Sequence, residues 1–246
     1  SLFPEIKTQR GKKLLEIKNL YLSNSFIEDV SINVKAGEVI GITGLAGSGK
    51  SAIGRACFGV NKIEAGTISY LDDVIYDSSK QINDISPRAM LDRGMLYLPS
   101  DRRAEGLIME QNIRENISLP SLGLPKFSKG FIVNRKNEKD IVEKIGDRLN
   151  FNTQGIENKI EQLSGGTQQK VMLAKSFARD VQLFILDEPT VGVDIGTRVA
   201  IYELIKEFCE SGGAVMLISS DLSEIVNLSH RVYILSEDNL CAEFNA

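Results

Sequence analysis

The sequence predicts an α/β fold on a mixed, mostly parallel core sheet, and three observations predict it. Short apolar runs recur at 39–43, 95–98, 183–186, 214–218 and 232–235, the length and composition of strands covered on both faces. Helical spacing separates several of them: Ile201, Leu204, Ile205 and Phe208 mark one apolar helix face, and Ile141, Ile145 and Leu149 another. Strands alternating with helices imply parallel pairing. Between 86 and 164 the strand signals thin out, which predicts a mainly helical subdomain inserted into the α/β core.

Taken in order, residues 1–13 are polar and basic (Lys7, Arg10, Lys12, Lys13) around Pro4 and read as a linker. Leu14-Leu15-Glu16-Ile17 opens an alternating, strand-like pattern. One domain over 14–246 follows, with its core at 14–85 and 166–246 and the helical insert at about 86–165. Ser86-Pro87 offers a helix N-cap followed by proline at the first helical position, and 125–137 is a polar stretch. There is no internal repeat and no low-complexity tract, so solenoid architectures drop out.

Composition narrows the function. The 246 residues are 42% hydrophobic and 25% charged, with net charge −4, so the chain can bury a core but lacks the basic stripe of a nucleic-acid binder. No stretch approaches the roughly 18 apolar residues of a membrane span, and the start lacks the pattern of a signal peptide, so a soluble, cytoplasmic domain is expected. Cys57, Cys209 and Cys241 are far apart and make no metal-ligand spacing, and they read as reduced, mostly buried apolar residues.

The chemistry starts after the run at 38–43. Gly44-Leu45-Ala46-Gly47-Ser48-Gly49-Lys50-Ser51 satisfies Gly-x-x-x-x-Gly-Lys-Ser, and from Ala52 the sequence can continue as a helix. Phosphates need many donors at close range. Glycines let the backbone wrap tightly and point its N–H groups inward, the helix start adds favourable partial charge, and Lys50 meets the β and γ phosphates. Ser51 supplies a hydroxyl oxygen suited to Mg²⁺.

A second constellation is Leu183-Phe184-Ile185-Leu186-Asp187-Glu188, an apolar strand that delivers two acids to the carboxyl edge of the sheet, where open α/β sheets bind ligands. It has the form of a Walker B strand. Asp187 would join the Mg²⁺ shell, and Glu188 would polarise the water that attacks the γ phosphate.

Leu163-Ser164-Gly165-Gly166-Thr167-Gln168-Gln169-Lys170, which places Ser164 23 residues before Asp187, closely resembles the signature motif of ABC transporter ATPases. Physically, Ser164 with the N–H groups of Gly165 and Gly166 at a helix start forms a second anion site. The resemblance covers nearly the whole chain, from 14–20 through the P-loop and signature to Asp187-Glu188-Pro189-Thr190 and Gly192-Val193-Asp194, where the D-loop belongs. It implies the P-loop NTPase fold of ABC type, with an N-terminal antiparallel β part and the helical insert. It also implies ATP and Mg²⁺ as ligands. The signature, with Ser164, Gly165, Gly166 and Gln168, would reach across a head-to-tail dimer to the partner's ATP.

Finer features resemble the second half of the fused tandem ATPases that serve ribose- and galactose-type sugar importers. Leu98-Pro99-Ser100-Asp101-Arg102-Arg103 is similar to that subfamily's Pro-Glu-Asp-Arg version of the Q-loop, the 163–170 and 192–196 segments to its signature and D-loop, and Leu2-Phe3-Pro4 to its linker. The partners implied are a first ATPase half, transmembrane permease subunits touched by the helical insert and, indirectly, a solute-binding protein. The location implied is the cytoplasmic face of the membrane.

Two positions depart from the family. Ser100 stands where glutamine or glutamate is usual, and Ser220, in Ser219-Ser220-Asp221, stands at the switch histidine. Serine cannot supply an imidazole, and the loss of one positioned catalytic group commonly costs about 10² to 10⁴ in rate, so a site biased towards binding is expected. An alternative reading follows, in which this half binds nucleotide to close the dimer while another half hydrolyses. The single histidine, His230, lies too far along the chain for the switch role and reads as an ordinary surface or strand-edge residue. Tyr21 and Phe26 compete as the aromatic that stacks on adenine, with Phe26 favoured. Soluble ABC ATPases of translation or DNA repair would call for long coiled-coil or basic insertions, and neither is present.

Overall fold

A computed structural model describes residues 2–23, 25, 27–45, 47–149, 151, 155–236 and 239–245, with the side chains of 239–241 outside the description. The chain divides into two compact units. The first comprises Ser1–Tyr97, Gln182–Glu188 and Tyr202–Ala246, and the second Leu98–Val181 and Pro189–Ile201.

The first unit holds two sheets. β1 (Lys13–Leu22), β2 (Val30–Lys35), β4 (Ile63–Tyr70), β5 (Asp73–Asp77) and β6 (Ile82–Asn83) form an antiparallel sheet in the order β2-β1-β4-β5-β6. Alternation in β1 and β2 gives that sheet one buried face, with Leu15, Ile17, Leu20, Val30, Ile32 and Val34 inward.

The central sheet runs β13-β12-β3-β11-β10-β7, built from β3 (Val39–Gly44), β7 (Met95–Leu98), β10 (Leu183–Asp187), β11 (Ala214–Ile218), β12 (Arg231–Ser236) and β13 (Asn239–Asn245). β12, β3, β11 and β10 pair in parallel, and β13 closes one edge antiparallel. β10 and β11 are buried at every position, as unbroken apolar strands must be when both faces are covered. The five apolar runs of the sequence are β3, β7, β10, β11 and β12.

Helix α1 (Lys50–Phe58) lies directly on this sheet. A Cβ at Gly54 would stand 2.8 Å from Ile185 Cγ2 and 2.8 Å from Ile218 Cδ1, so only glycine permits the close approach. Helix α6 (Ile195–Glu210) buries Ile201, Tyr202, Ile205 and Cys209, while Leu204 and Phe208 are partly covered. Phe208 stacks on Phe184 at 3.8 Å. Cys57 and Cys209 are free and buried, and desolvation pushes each thiol up to about 12; Cys241 falls among the side chains outside the description.

The stretch read as a linker is docked along the first unit. Phe3 stacks on Tyr202 with centroids 5.1 Å apart, Gly11 N–H donates to the Ala36 carbonyl at 2.8 Å, and Thr8 Oγ1 donates to the Gly37 carbonyl. His230 is a half-buried connector. Its Nδ1 accepts from Val39 N–H at 3.0 Å, and its Nε2 lies 3.2 Å from Thr8 Oγ1.

The second unit is mainly helical: α3 (Ile113–Ser118), α4 (Arg135–Arg148) and α5 (Gly165–Phe177), with a short hairpin of β8 (Ser128–Lys129) and β9 (Ile132–Val133). Buried Glu138 ties it together by accepting from Arg114 at 2.8 Å and Ser118 at 2.6 Å. The compact units divide the chain elsewhere than at the expected 86 and 165. Helix α2 (Pro87–Asp92), which Ser86 caps as expected, lies in the first unit with most of β7, because β7 is an edge strand of the central sheet. At the other end α5 lies in the second unit, where its residues bond to the 102–106 segment and to Pro189.

Candidate functional site

In the first unit the P-loop joins β3 to α1. Gly49 is the residue before the helix, with a left-handed φ of 76°, and no side chain caps the helix start. A Cβ there would also meet Ile27 at 2.9 Å. The turn therefore needs glycine for both its backbone and its packing, and it leaves the helix N-terminus open to an anion. Gly44 is equally constrained, since a Cβ would lie 2.5 Å from the Leu235 carbonyl and 2.6 Å from Ser48 Oγ. Leu45 is exposed at the tip, and Ser48 Oγ is buried without a hydrogen-bond partner among the described residues. Ala46 lies outside the described residues, as does Phe26, the favoured adenine-stacking residue. Tyr21, its competitor, is part-exposed and lines a cavity of about 360 Å³ with Leu22, Ser25, Ile27 and Glu28.

The acidic strand end meets this loop. Ser51 Oγ donates to Asp187 Oδ1 at 2.8 Å, Tyr97 OH donates to Asp187 Oδ2 at 2.7 Å, and Lys50 Nζ lies 3.5 Å from Glu188 Oε1. Asp187 is almost wholly buried, and burial raises its pKa above the usual carboxylate value; the bonds from Tyr97 and Ser51 oppose that rise. Burial also raises the pKa of Tyr97, with the negative charge of Asp187 adding to it, so the phenol stays protonated as the donor.

Glu188 takes a left-handed backbone, φ 49°, and its N–H is bonded to the Ile218 carbonyl at 2.8 Å. Ser220, at the end of the neighbouring strand β11, holds its carboxylate twice: Oγ donates to Oε1 at 2.6 Å and the backbone N–H donates to Oε2 at 3.1 Å. Behind it, buried Glu224 of α7 (Leu222–Leu228) accepts from Ser219 Oγ at 2.7 Å and from Tyr202 OH at 2.8 Å. Ser219 Oγ in turn accepts from the Asp221 N–H at 3.0 Å. Lys50, Ser51, Asp187, Glu188 and Ser220 thus form one cluster at the carboxyl edge of the parallel strands. Oxygen donors from a hydroxyl and a carboxylate, already in contact, suit a hard divalent cation such as Mg²⁺.

The other motif residues belong to the second unit. Ser164 caps α5 by accepting from Thr167 N–H at 3.2 Å, and it is exposed. Ser100 is exposed. Asp194 accepts from the Thr197 N–H and Thr197 Oγ1 at 2.9 Å each, which lowers its pKa and caps α6. A Cβ at Gly166 would stand 2.6 Å from Thr197 Oγ1 and 2.9 Å from Asp194 Oδ2, so the signature glycine packs against that cap.

Gln168 is buried, and within this chain its amide is engaged: Nε2 donates to the Ile160 and Leu163 carbonyls at 3.1 and 3.2 Å, and Oε1 accepts from Arg102 at 3.3 Å. It shapes the signature loop from within.

Two residues were missed. Tyr97, inside an apolar run, carries the phenol that orients Asp187; a polar tip on an otherwise apolar strand was the available signal. For Arg102 the sequence carries only its place in the Pro99-Ser100-Asp101-Arg102 segment. Its guanidinium bonds Gln168 and lies 3.4 Å from the Val191 carbonyl, and a Cβ at Gly165 would stand 2.9 Å from it. It joins the Q-loop, signature and D-loop segments of one unit. The loop around it is fixed by Asp101, whose carboxylate accepts from the Arg103 and Ala104 N–H groups at 3.0 Å each.

A phosphate loop facing a magnesium-type acid pair, with a signature-like helix start in the second unit, defines a nucleotide-binding cassette. The family model of the ABC transporter matches residues 27–191, and the chain belongs to that family. Among curated relatives it is 36% identical over 244 residues to the ribose import ATP-binding protein RbsA of Bacillus subtilis and 37% identical over 243 residues to that of Clostridium tetani. It is 35% identical over 243 residues to a putative ribose/galactose/methyl galactoside import ATP-binding protein of Rhizobium etli. These alignments take in 99% of this chain but 48%, 46% and 44% of the relatives, so the chain spans about half the length of the curated relatives it matches. Its fold matches that of a nucleotide-free ATP-binding cassette from an ABC transporter, with TM-score 0.78, 22% identity and coverage of 96% of this chain and 92% of that one. It also matches a dimeric cassette bound to ADP and Pi, with TM-score 0.76, 22% identity and coverage of 94% and 98%.

Proposed function

We propose that this chain is the ATP-binding and ATP-hydrolysing domain of an importer for a small solute, a sugar of the ribose or galactose class, and corresponds to the second half of a tandem ATPase. The observation that carries the reading is the cluster of Lys50, Ser51, Asp187 and Glu188 at one sheet edge. P-loop N–H groups and Lys50 hold the β and γ phosphates. Ser51 and Asp187 would hold Mg²⁺, which would neutralise charge developing on the phosphates. Glu188, oriented by Ser220, accepts a proton from the attacking water. Ser164 and the Gly165 and Gly166 N–H groups serve the nucleotide of a second ATPase domain. Permease subunits would hold the domain at the cytoplasmic face of the membrane; among the described residues no helix is long and apolar enough to cross one. The sugar class is supported by the names of the relatives, and Leu2-Phe3-Pro4 and the Q-loop variant support the second-half position.

The test is Mg·ATP affinity and steady-state hydrolysis for the purified chain beside Lys50→Ala and Glu188→Gln. The reading expects affinity to vanish only in Lys50→Ala, and turnover to vanish in both. Undiminished binding in Lys50→Ala would remove the P-loop assignment.

A further inference from the structure

Residues 116–137 contain no acidic side chain and four basic ones, Lys126, Lys129, Arg135 and Lys136, in a chain whose net charge is −4. At the centre of this stretch the β8–β9 hairpin turns through Gly130, φ 62°, and presents Phe131 fully exposed with Ile132 76% exposed beside it. Among the described residues they are the most exposed pair of adjacent large apolar side chains.

Their exposure is built in. Phe127, at the hairpin's base, is completely buried, and its carbonyl accepts from Asn134 N–H at 2.8 Å while Ser128 N–H bonds back to Leu124 at 3.1 Å. Asn134 then caps α4 by accepting from Asn137 N–H at 3.1 Å. The hairpin is therefore clamped at both ends, and its tip projects on a fixed base. Lys126, Lys129 and Lys136 are exposed, and among the described residues no carboxylate lies within ion-pair distance of them; Arg135 is paired with Glu138 at 3.2 Å.

We propose that this hairpin is a membrane-surface contact that inserts Phe131 and Ile132 among the headgroups of an anionic bilayer while the surrounding lysines meet lipid phosphates. Charge and shape choose this occupant. Basic side chains near an anionic leaflet gain attraction additively, and an aromatic and an aliphatic side chain at the tip suit the headgroup–acyl boundary. A two-residue convex tip is far smaller than the roughly 800 Å² per partner of a stable protein interface, and it offers no concavity to a small ligand.

The chain contains no tryptophan, so Phe131→Trp places a single reporter at the tip. With vesicles of phosphatidylcholine plus about one third phosphatidylglycerol, its emission should move to shorter wavelength, and the chain should co-sediment at least fivefold more than with phosphatidylcholine alone. Salt at 0.5 M should reverse both, given the short Debye length there. A Phe131→Ser/Ile132→Ser double variant and a Lys126→Gln/Lys129→Gln/Lys136→Gln triple variant should each lose most of the binding while retaining ATP affinity. The proposal is overturned by equal binding to neutral and anionic vesicles, by unchanged binding in either variant, or by an indole emission in Phe131→Trp that shifts with protein concentration and not with lipid, the mark of a second copy on the tip.

Discussion

Ser220 grips both oxygens of Glu188, through its hydroxyl at 2.6 Å and its backbone N–H at 3.1 Å. The residue at the switch position thus orients the carboxylate although it carries no imidazole. Ser220→Ala keeps the N–H bond and loses the other. A hydrogen bond to a charged group contributes about 1.5–3 kcal/mol, and Ser220 is exposed, so the lower end applies and turnover should fall about tenfold with KM for ATP nearly unchanged. Unaltered turnover would show that the Ser220 N–H, Lys50 and the backbone of Glu188 suffice to orient the carboxylate without the hydroxyl.

Tyr97 and Ser51 both donate to Asp187 and oppose the effect of burial, which raises its pKa. A proton competes with Mg²⁺ for this carboxylate, so apparent Mg²⁺ affinity should rise with pH until Asp187 is ionised and then level off. Tyr97→Phe removes one donor and should move that rise to higher pH and raise the Mg²⁺ needed for half-maximal ATP binding several-fold. A Mg²⁺ titration at three pH values distinguishes this from a plain loss of stability.

Arg102 should act on assembly while leaving this chain's own P-loop untouched. Arg102→Ala frees the Gln168 amide and the Val191 carbonyl, and should lower hydrolysis by about ten- to a hundredfold in the presence of the first ATPase half, a loss of one or two positioned contacts. ATP binding to the isolated chain should stay as it was. Arg102→Lys cannot reproduce the planar fork and should recover only part.

Burial, together with the positive charge of Arg10, holds His230 below its ordinary pKa of 6.5. Because Nδ1 accepts from Val39, the neutral ring carries its proton on Nε2, facing Thr8. The unfolded chain therefore binds a proton more readily than the folded one. Stability is retained above pH 6.5 and declines as pH falls from there through the folded-state pKa. As the single histidine, His230 gives one imidazole signal by NMR, and His230→Gln should flatten the slope of urea midpoints over that range.

Gly54→Ala tests the packing of α1 on the sheet. Alanine favours the helix by up to about 1 kcal/mol, but its methyl would meet two rigid core side chains, Ile185 and Ile218, and overpacking costs about 1–3 kcal/mol. The variant should be less stable by about 1 kcal/mol, read from its urea midpoint.

Much of this was legible from local rules. β7, β10 and β11 are buried at every position and β3 at all but its last, so their apolar runs stand out, and the P-loop and acid pair are each contained in a few consecutive residues. What was hidden depends on pairs far apart in sequence. Nothing local tells that Tyr97 points at Asp187, that Arg102 meets Gln168, or that the amide of Gln168 is turned inward. The compact units divide the chain elsewhere than at 86 and 165 for the same reason: β7 belongs to the central sheet through its hydrogen bonds, which adjacent sequence does not encode.

The left-handed backbone at Glu188 sets folding and chemistry in opposition. For a residue with a Cβ that conformation costs about 1–2 kcal/mol, and glycine or asparagine would bear it more comfortably. The fold thus carries a point of local energetic frustration at the residue proposed to activate water. A descendant released from selection for turnover would be expected to drift there towards glycine or asparagine and become thermodynamically sturdier as it fell silent.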